Sequence, residues 1–396
     1  MHVHLDGSFE HSIILEHLEK VGYGVLPEHT ILPWDQSKYP IRSLVKETNS
    51  NYFKFHTLCT CRGKRSLKEM IKCFEIVVPI VQGDLDLLER LARDFVRRQA
   101  DQHVIYTEVR YSPHLLASGG TFNAEDQVEG TVVDARSVVD AITKGLNRGQ
   151  QEFGVKVNQI LCCITWRPDW AEDVVAIAAE RKSVSNFGAN NSRVVGIDIA
   201  AGEEHFDEEH YPDLHLPHVT AFQKAKQLGL NITMHAGEVA SGRNVLDAIN
   251  KYHATRIGHG YRTVTDPDVL DEVKRRGIHF EACPTSSLET GGWEFDEAVG
   301  KNWEEHPLVP MIEKGLSVGL NSDDPAVFDT SLTFQYRIAS SKMKLQYSDL
   351  AKTVWHSIDA AFLREDEKEL LRESVRRFYK SHGSPFQLPA IAHMES

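Results

Sequence analysis

The chain has 396 residues, 41% of them hydrophobic and 26% charged, with a formal net charge of −13. That length buries a large core, as one big barrel or two ordinary domains. The negative charge argues against a nucleic-acid partner, no apolar stretch reaches the length of a membrane span, and no basic segment followed by an apolar one marks a secretory leader.

The chain opens on Met1-His2-Val3-His4-Leu5-Asp6-Gly7. Two histidines one residue apart on a strand point the same way, because side chains alternate with period two. Such a pair can ligate one transition metal, and the Asp6-Gly7 step turns the chain. Almost nothing precedes the pair, so this first strand is expected to be truncated at the amino terminus. A helix follows over 13–21, with Ile13, Ile14, Leu18 and Val21 apolar and Gly22 as its stop. Residues 25–65 read as irregular. Residues 66–81 read as a helix with Leu67, Met70, Ile71 and Phe74 on one face, which either packs on the core or covers a pocket as a lid. A second helix spans 86–99. Residues 25–101 are therefore expected to form a lid and helical excursion within a single domain over 1–396.

From there strands alternate with helices. Strands are predicted over 103–111, 155–164, 193–200, 231–235, 255–258, 278–283 and 317–321. Helices are predicted over 136–153, 170–182, 218–228, 241–252, 267–276 and 308–314, with more to about residue 382. With His2–His4 counted, eight strands result. This is the pattern of an α/β fold, a single-domain (β/α)8 TIM-type barrel with extra helices. An open doubly wound sheet is disfavoured, because no G-x-G-x-x-G turn is present and polar clusters follow nearly every strand. The cysteines, Cys59, Cys61, Cys73, Cys162, Cys163 and Cys283, form no paired C-x-x-C zinc pattern. They read as a reduced, cytoplasmic inventory, although Cys59 and Cys73 could form a local disulfide.

Barrel chemistry occupies the carboxyl ends of the strands. Those ends carry His2 and His4, Arg110, Gly202-Glu203-Glu204, His235 and Glu238, His259, Ser286, then Asp323 and Asp324. Histidines from strands one and five, with a carboxylate of the Asp323-Asp324 pair on strand eight, would hold a divalent metal and leave a position for water. Zinc suits nitrogen-dominated ligation, and iron or cobalt fits the same donors. The strands over 155–164 and 193–200 end without a lysine, which favours one metal over two. His259 is placed to accept the proton of the water. Glu238 lies three residues past His235 and can protonate a leaving group or ring nitrogen, a role that burial would suit by raising its pKa. Taken singly, His235 could be a core histidine, Glu238 a first-turn helix acid, and Asp323 or Asp324 a helix cap ahead of Pro325. Their joint position at strand ends favours chemistry.

These motifs carry a family resemblance. His2-Val3-His4-Leu5-Asp6-Gly7, Glu108-Val109-Arg110-Tyr111-Ser112-Pro113-His114, Met234-His235-Ala236-Gly237-Glu238, Gly258-His259-Gly260 and Ser322-Asp323-Asp324-Pro325 together resemble the adenosine deaminase family of the amidohydrolase superfamily, over residues 1 to about 380. The resemblance implies one zinc ion per chain, held by His2, His4, His235 and Asp323. It implies hydrolytic deamination of adenosine and 2′-deoxyadenosine to inosine and 2′-deoxyinosine with release of ammonia. The partner is then a small purine nucleoside. Glu238 would protonate ring nitrogen 1, His259 would position the hydroxide, and Asp324 would hydrogen-bond ring nitrogen 7. The Gly202 amide would meet ring nitrogen 3, Asp6 would bind the ribose 5′-hydroxyl, and Leu67, Met70, Ile71 and Phe74 would form the lid. The Ile199-Ala200-Ala201-Gly202 run is one residue longer than the Leu-Ala-Gly usual in that family. Cys283-Pro284 has the wrong order for the Pro-Cys-x-x-Cys run of cytidine-type deaminases. Two alternatives remain: a deaminase of another adenine-containing nucleotide, which Asp6 at the ribose end disfavours, and a catalytically inert nucleoside-binding relative.

Overall fold

Parallel strands buried on both faces form the centre of the molecule, as expected when helices cover the outside of a sheet. The computed structural model describes residues 1–118, 132–182, 191–203, 212–296, 298 and 300–381. Eight strands pair in sequence order, β1 (Val3–His4), β2 (Tyr106–Tyr111), β3 (Lys156–Ile164), β4 (Val194–Ala200), β5 (Asn231–Ala236), β6 (Arg256–His259), β7 (His279–Ala282) and β8 (Ser317–Leu320). Every pairing is parallel. Just past β8, Asp323 bridges to Val3: the His4 amide donates to the Asp323 carbonyl at 2.9 Å and the Asp323 amide to the His2 carbonyl at 3.1 Å. The sheet thus returns to its first strand as a (β/α)8 barrel, with the amino-terminal histidines beside the end of the last strand.

Element types follow the expected order, and the boundaries move for local reasons. β2 starts at Tyr106 instead of residue 103 because His103, at φ 58°, is the left-handed residue that ends the Leu85–Asp101 helix. The helix expected from residue 218 runs over Pro212–Gln227, through Pro217. A proline inside a helical pattern reads as a boundary, and here the helix absorbs it. Residues 25–65 are not irregular. Thr30–Ile31 pairs antiparallel with Lys38–Tyr39, and helices cover Ile41–Glu47 and Tyr52–Leu58. Helices of seven residues are too short to show a period, and their main sequence sign is a cap such as Asn51, whose Oδ1 accepts from the Lys54 amide at 3.1 Å. Leu26, Ile41, Val45, Phe55 and Cys59 from this stretch join the main core.

The Leu67–Val81 helix starts at the Ser66 cap and divides its faces: Ile76, Val77, Ile80 and Val81 pack in the core. The Leu85–Asp101 helix lies against the Ala135–Phe153 helix of the barrel's outer layer. All six cysteines are free and buried, so Cys59 and Cys73 form no disulfide. Among the described residues no helix is long and apolar enough to cross a membrane. Glu204 lies outside the described residues.

The contact between those two long helices passes over Gly145, where a Cβ would meet the Glu89 carbonyl oxygen at 2.2 Å and the Ala92 Cβ at 2.9 Å. Gly145→Ala is expected to destabilise the fold by about 1–3 kcal/mol through overpacking. Denaturant unfolding checks this, and an unchanged midpoint would show that the helices can part freely.

Candidate active site

Each group at the carboxyl mouth is placed by a strand end. β1 brings His2 and His4, β5 brings His235 and leads into Glu238, β6 ends on His259, and the turn after β8 carries Asp323 and Asp324. His2, His235, Glu238, His259, Asp323 and Asp324 are buried, and His4 is nearly so. Ligand atoms of His2, His235, His259 and Asp323 lie within 4.8 Å of one another, and those of His4, Asp323 and Asp324 form an overlapping group. His2 Nε2 is 3.0 Å from Asp323 Oδ1, His4 Nε2 is 3.5 Å from the same oxygen, and His4 Nε2 is 3.2 Å from His235 Nε2.

The imidazoles are oriented from behind. His2 Nδ1 lies 2.9 Å from Glu281 Oε2 and His235 Nδ1 lies 3.0 Å from Asp198 Oδ2. A proton on each Nδ1 satisfies those carboxylates and leaves the Nε2 lone pair aimed at the cluster. Burial holds His4 and His259 well below the usual histidine range, so both rings are neutral. Imidazole nitrogens and carboxylate oxygens thus crowd together in two overlapping groups that share Asp323, His2 with His235 and His259 in one and His4 with Asp324 in the other, and unshared electron pairs there repel unless a cation lies among them. A tetrahedral ion with bonds of about 2.0–2.1 Å spaces its ligand atoms by about 3.3 Å. The observed separations of 3.0, 3.2 and 3.5 Å fit that spacing.

The acids behind the histidines belong to a buried charge network. Arg110 donates from Nη1 to Asp198 Oδ2 and from Nη2 to Glu281 Oε2, both at 2.7 Å. Arg256 meets Glu281 Oε1 at 2.7 Å and Glu108 Oε2 at 2.5 Å. Against the cost of burial, Arg110 and Arg256 hold Glu281 well below the carboxylate range, and His235 and Arg110 do the same for Asp198.

Glu238 behaves in the opposite way. Burial and the neighbouring Asp323 charge push it up to about 8. Thr290 Oγ1 donates to its Oε1 at 2.8 Å, and its Oε2 lies 3.6 Å from His259 Nε2. Burial and Asp323 also raise Asp324 well above the usual range. Gly7 is required beside it, since a Cβ there would fall 1.8 Å from Asp324 Oδ1. Burial raises Asp6 to about 7. His259 and Asp323 hold φ of 63° and 59°, a left-handed backbone that ordinary residues adopt only under constraint.

Above the cluster is a cavity lined by His4, Asp6, His235, Glu238, His259, Asp323 and Asp324 on its polar side. Leu67, Met70, Ile71 and Phe74 all line it from the Leu67–Val81 helix, joined by Leu115, Ile164 and Trp166. Ala200 and Ala201 line it at the end of β4, whereas Gly202 is buried outside that lining. Ala201 takes φ 85°, a conformation a glycine would favour. Sequence reasoning left Asp198, Glu281, Glu108, Arg256, Thr290 and Trp166 without a role and gave Arg110 none beyond a strand end. The available signal was a charged residue inside an otherwise apolar strand, which burial tolerates only when it is paired.

Fold and cluster together are those of a (β/α)8 barrel with a candidate metal centre at its carboxyl mouth. The adenosine deaminase family model matches residues 1–378, and the chain belongs to that family. It is 31% identical over 386 residues to the adenosine deaminase of Bos taurus, covering 97% of this chain and 94% of the bovine one. Among solved structures, adenine deaminase from Arthrobacter aurescens superposes with a TM-score of 0.71 at 21% identity, covering 96% of this chain and 98% of that one. An amidohydrolase from Burkholderia ambifaria with bound Zn superposes with a TM-score of 0.71 at 20% identity, covering 96% and 90%.

Arg110→Met would leave Asp198 and Glu281 buried with their main counter-charge removed. The expected cost is about 3–5 kcal/mol of folding stability, read from the urea midpoint. A loss near zero would mean that the two acids take up protons or repack without it.

Proposed function

We propose that this chain hydrolyses the amino group of adenosine and 2′-deoxyadenosine, giving inosine or 2′-deoxyinosine and ammonia, with one zinc ion per chain. The observation that carries the reading is a buried cluster of closely spaced imidazole nitrogens around the Asp323 carboxylate, with a proton-retaining Glu238 beside it and an apolar roof above. Family membership and the zinc in the Burkholderia neighbour support it.

His2, His4, His235 and Asp323 would hold the zinc. A divalent ion supplies charge that lowers the pKa of a water from about 15.7 towards about 7. The remaining work falls to side chains. His259 takes up or steadies the proton and charge of the attacking water, from a ring that burial keeps neutral at rest. Glu238 holds its proton near neutral pH and delivers it to ring nitrogen 1 as oxygen adds to carbon six. The amino group then takes the proton that His259 received and leaves as ammonia, while the hydroxyl on carbon six becomes the carbonyl and returns its proton to Glu238, so one water is consumed for each ammonia released. Asp324, whose raised pKa keeps it protonated, donates to ring nitrogen 7. Asp6 takes the ribose hydroxyl. The backbone at Ala201-Gly202 would approach ring nitrogen 3, and the presence of Ala201 in the cavity lining supports it as the nearer of the two. Leu67, Met70, Ile71 and Phe74 exclude water from the reacting face.

A neutral nucleoside fits better than a nucleotide, because the described cavity lining contains no lysine or arginine and has Asp6. Six buried free thiols support a reducing, cytoplasmic compartment.

The ultraviolet change from adenosine to inosine, with and without chelator, tests the activity. Zinc-loaded folded protein with no turnover would favour an inert nucleoside binder. Glu238→Gln should keep its zinc and lose about 10²–10⁴-fold in turnover, because it removes the proton and little else. Asp323→Asn should deplete zinc. Asp324→Asn should retain zinc but turn over slowly and bind purine weakly. Full zinc and full rate in both aspartate variants would refute the division between them.

A further inference from the structure

β4 and the residues just past it supply no reacting group, yet one acid from each holds a functional residue at or just past the end of β5. Asp198 meets the His235 ring. Glu203, just beyond the strand, meets the loop of Glu238. One carboxylate oxygen of Glu203 accepts the Gly237 amide; the other accepts the amides of Glu238 at 3.0 Å, Val239 at 2.8 Å and Ala240 at 2.9 Å. Four consecutive amides thus end on a side chain that is 2% exposed.

We propose that Glu203 is a positioning residue for deamination: its buried carboxylate gathers the amides of residues 237–240 and so fixes where the Glu238 carboxyl can hand over its proton. This rests on reading Glu238 as the proton donor. Glu203 does not line the cavity, so it touches no substrate. The start of the loop has other ties, since the Gly260 amide donates to the Ala236 carbonyl and the Arg262 amide to the Gly237 carbonyl, both at 3.1 Å. Beyond Gly237 the amides turn inward onto Glu203. The Glu238 side chain is then held at its tip by Thr290, and Gly292 leaves room for it, since a Cβ there would lie 3.2 Å from Glu238 Cγ. The backbone of the proton donor is thus tied to Glu203 and its tip to Thr290.

The chemistry of the group explains why it is a carboxylate. An ionised carboxylate offers about four acceptor sites, whereas a glutamine amide offers half as many and adds two donors. In Glu203→Gln some loop amides lose their acceptor or face an N–H. The loop must then shift, and a misplacement of about 1 Å can cost about 10²-fold in rate.

The test uses the full chain, zinc-loaded, with Glu203→Gln, Glu238→Gln and the double variant. Turnover number, KM for adenosine, zinc per chain and melting temperature are measured for each. Glu203→Gln is expected to lose about 10–10²-fold in kcat while KM stays within about twofold and zinc stays at the wild-type level. The double variant should be no slower than Glu238→Gln, because Glu203 acts through that residue. Should Glu203→Gln fail to fold, Glu203→Asp, which keeps the charge on a shorter stem, is expected to show the same pattern with a smaller loss. Wild-type kcat in either variant would overturn the proposal, as would joint loss of zinc and substrate affinity or a double variant slower by the product of the single losses. Wild-type protein that leaves adenosine untouched would instead overturn the functional reading on which the proposal rests, whatever the variants do.

Discussion

The guanidinium of Arg110, enclosed in the barrel between Asp198 and Glu281, is the contact on which the rest of the site depends. The three groups are fully buried, where charge is costly to keep without a partner. Arg110 makes it tenable for two carboxylates to stay ionised at that depth. Those carboxylates in turn settle which ring nitrogen of His2 and His235 carries a proton. The histidine cluster is therefore oriented from below, by a layer of ions outside the cavity lining. Arg256 extends the layer to Glu108 and stacks on Phe362, with Cζ 3.6 Å from the ring centroid.

Closure of the barrel supplies the second constraint. His2 and His4 lie near one end of the chain and Asp323 more than three hundred residues away, yet two backbone hydrogen bonds join them directly. The backbone at Asp323 and at His259 is left-handed, at a cost of about 1–3 kcal/mol per residue. Such conformations persist where the surrounding structure over-determines them. Here neighbouring strands fix the residues on either side, and the side chains project over the barrel mouth.

The site also keeps two electrostatic regimes a few ångströms apart. Below, Asp198 and Glu281 are held ionised by arginines. Above, burial and the Asp323 charge oppose ionisation of Glu238 and Asp324 and raise both above the usual carboxylate range. Glu203 belongs to neither set, since amides and not a cation satisfy it. An apolar roof from the Leu67–Val81 helix lowers the local dielectric and strengthens both effects.

The order of strands and helices, the barrel they build, and the grouping of His2, His4, His235, Glu238, His259, Asp323 and Asp324 at strand ends could all be read from the sequence. Alternation, helical periodicity and motif spacing are local properties that the chain carries before it folds. The apolar face of Leu67, Met70, Ile71 and Phe74 was also legible, although periodicity alone left open whether it faced core or cavity. The short helices of residues 25–65 were hidden because seven residues hold too little of a period. The roles of Arg110, Asp198, Glu203 and Glu281 were decided only by tertiary structure. Each acts through a partner on another strand or loop, and the pairing depends on barrel register and closure, which no local pattern encodes. The same holds for Ala201, which lines the cavity while Gly202 does not, a difference that local sequence does not encode.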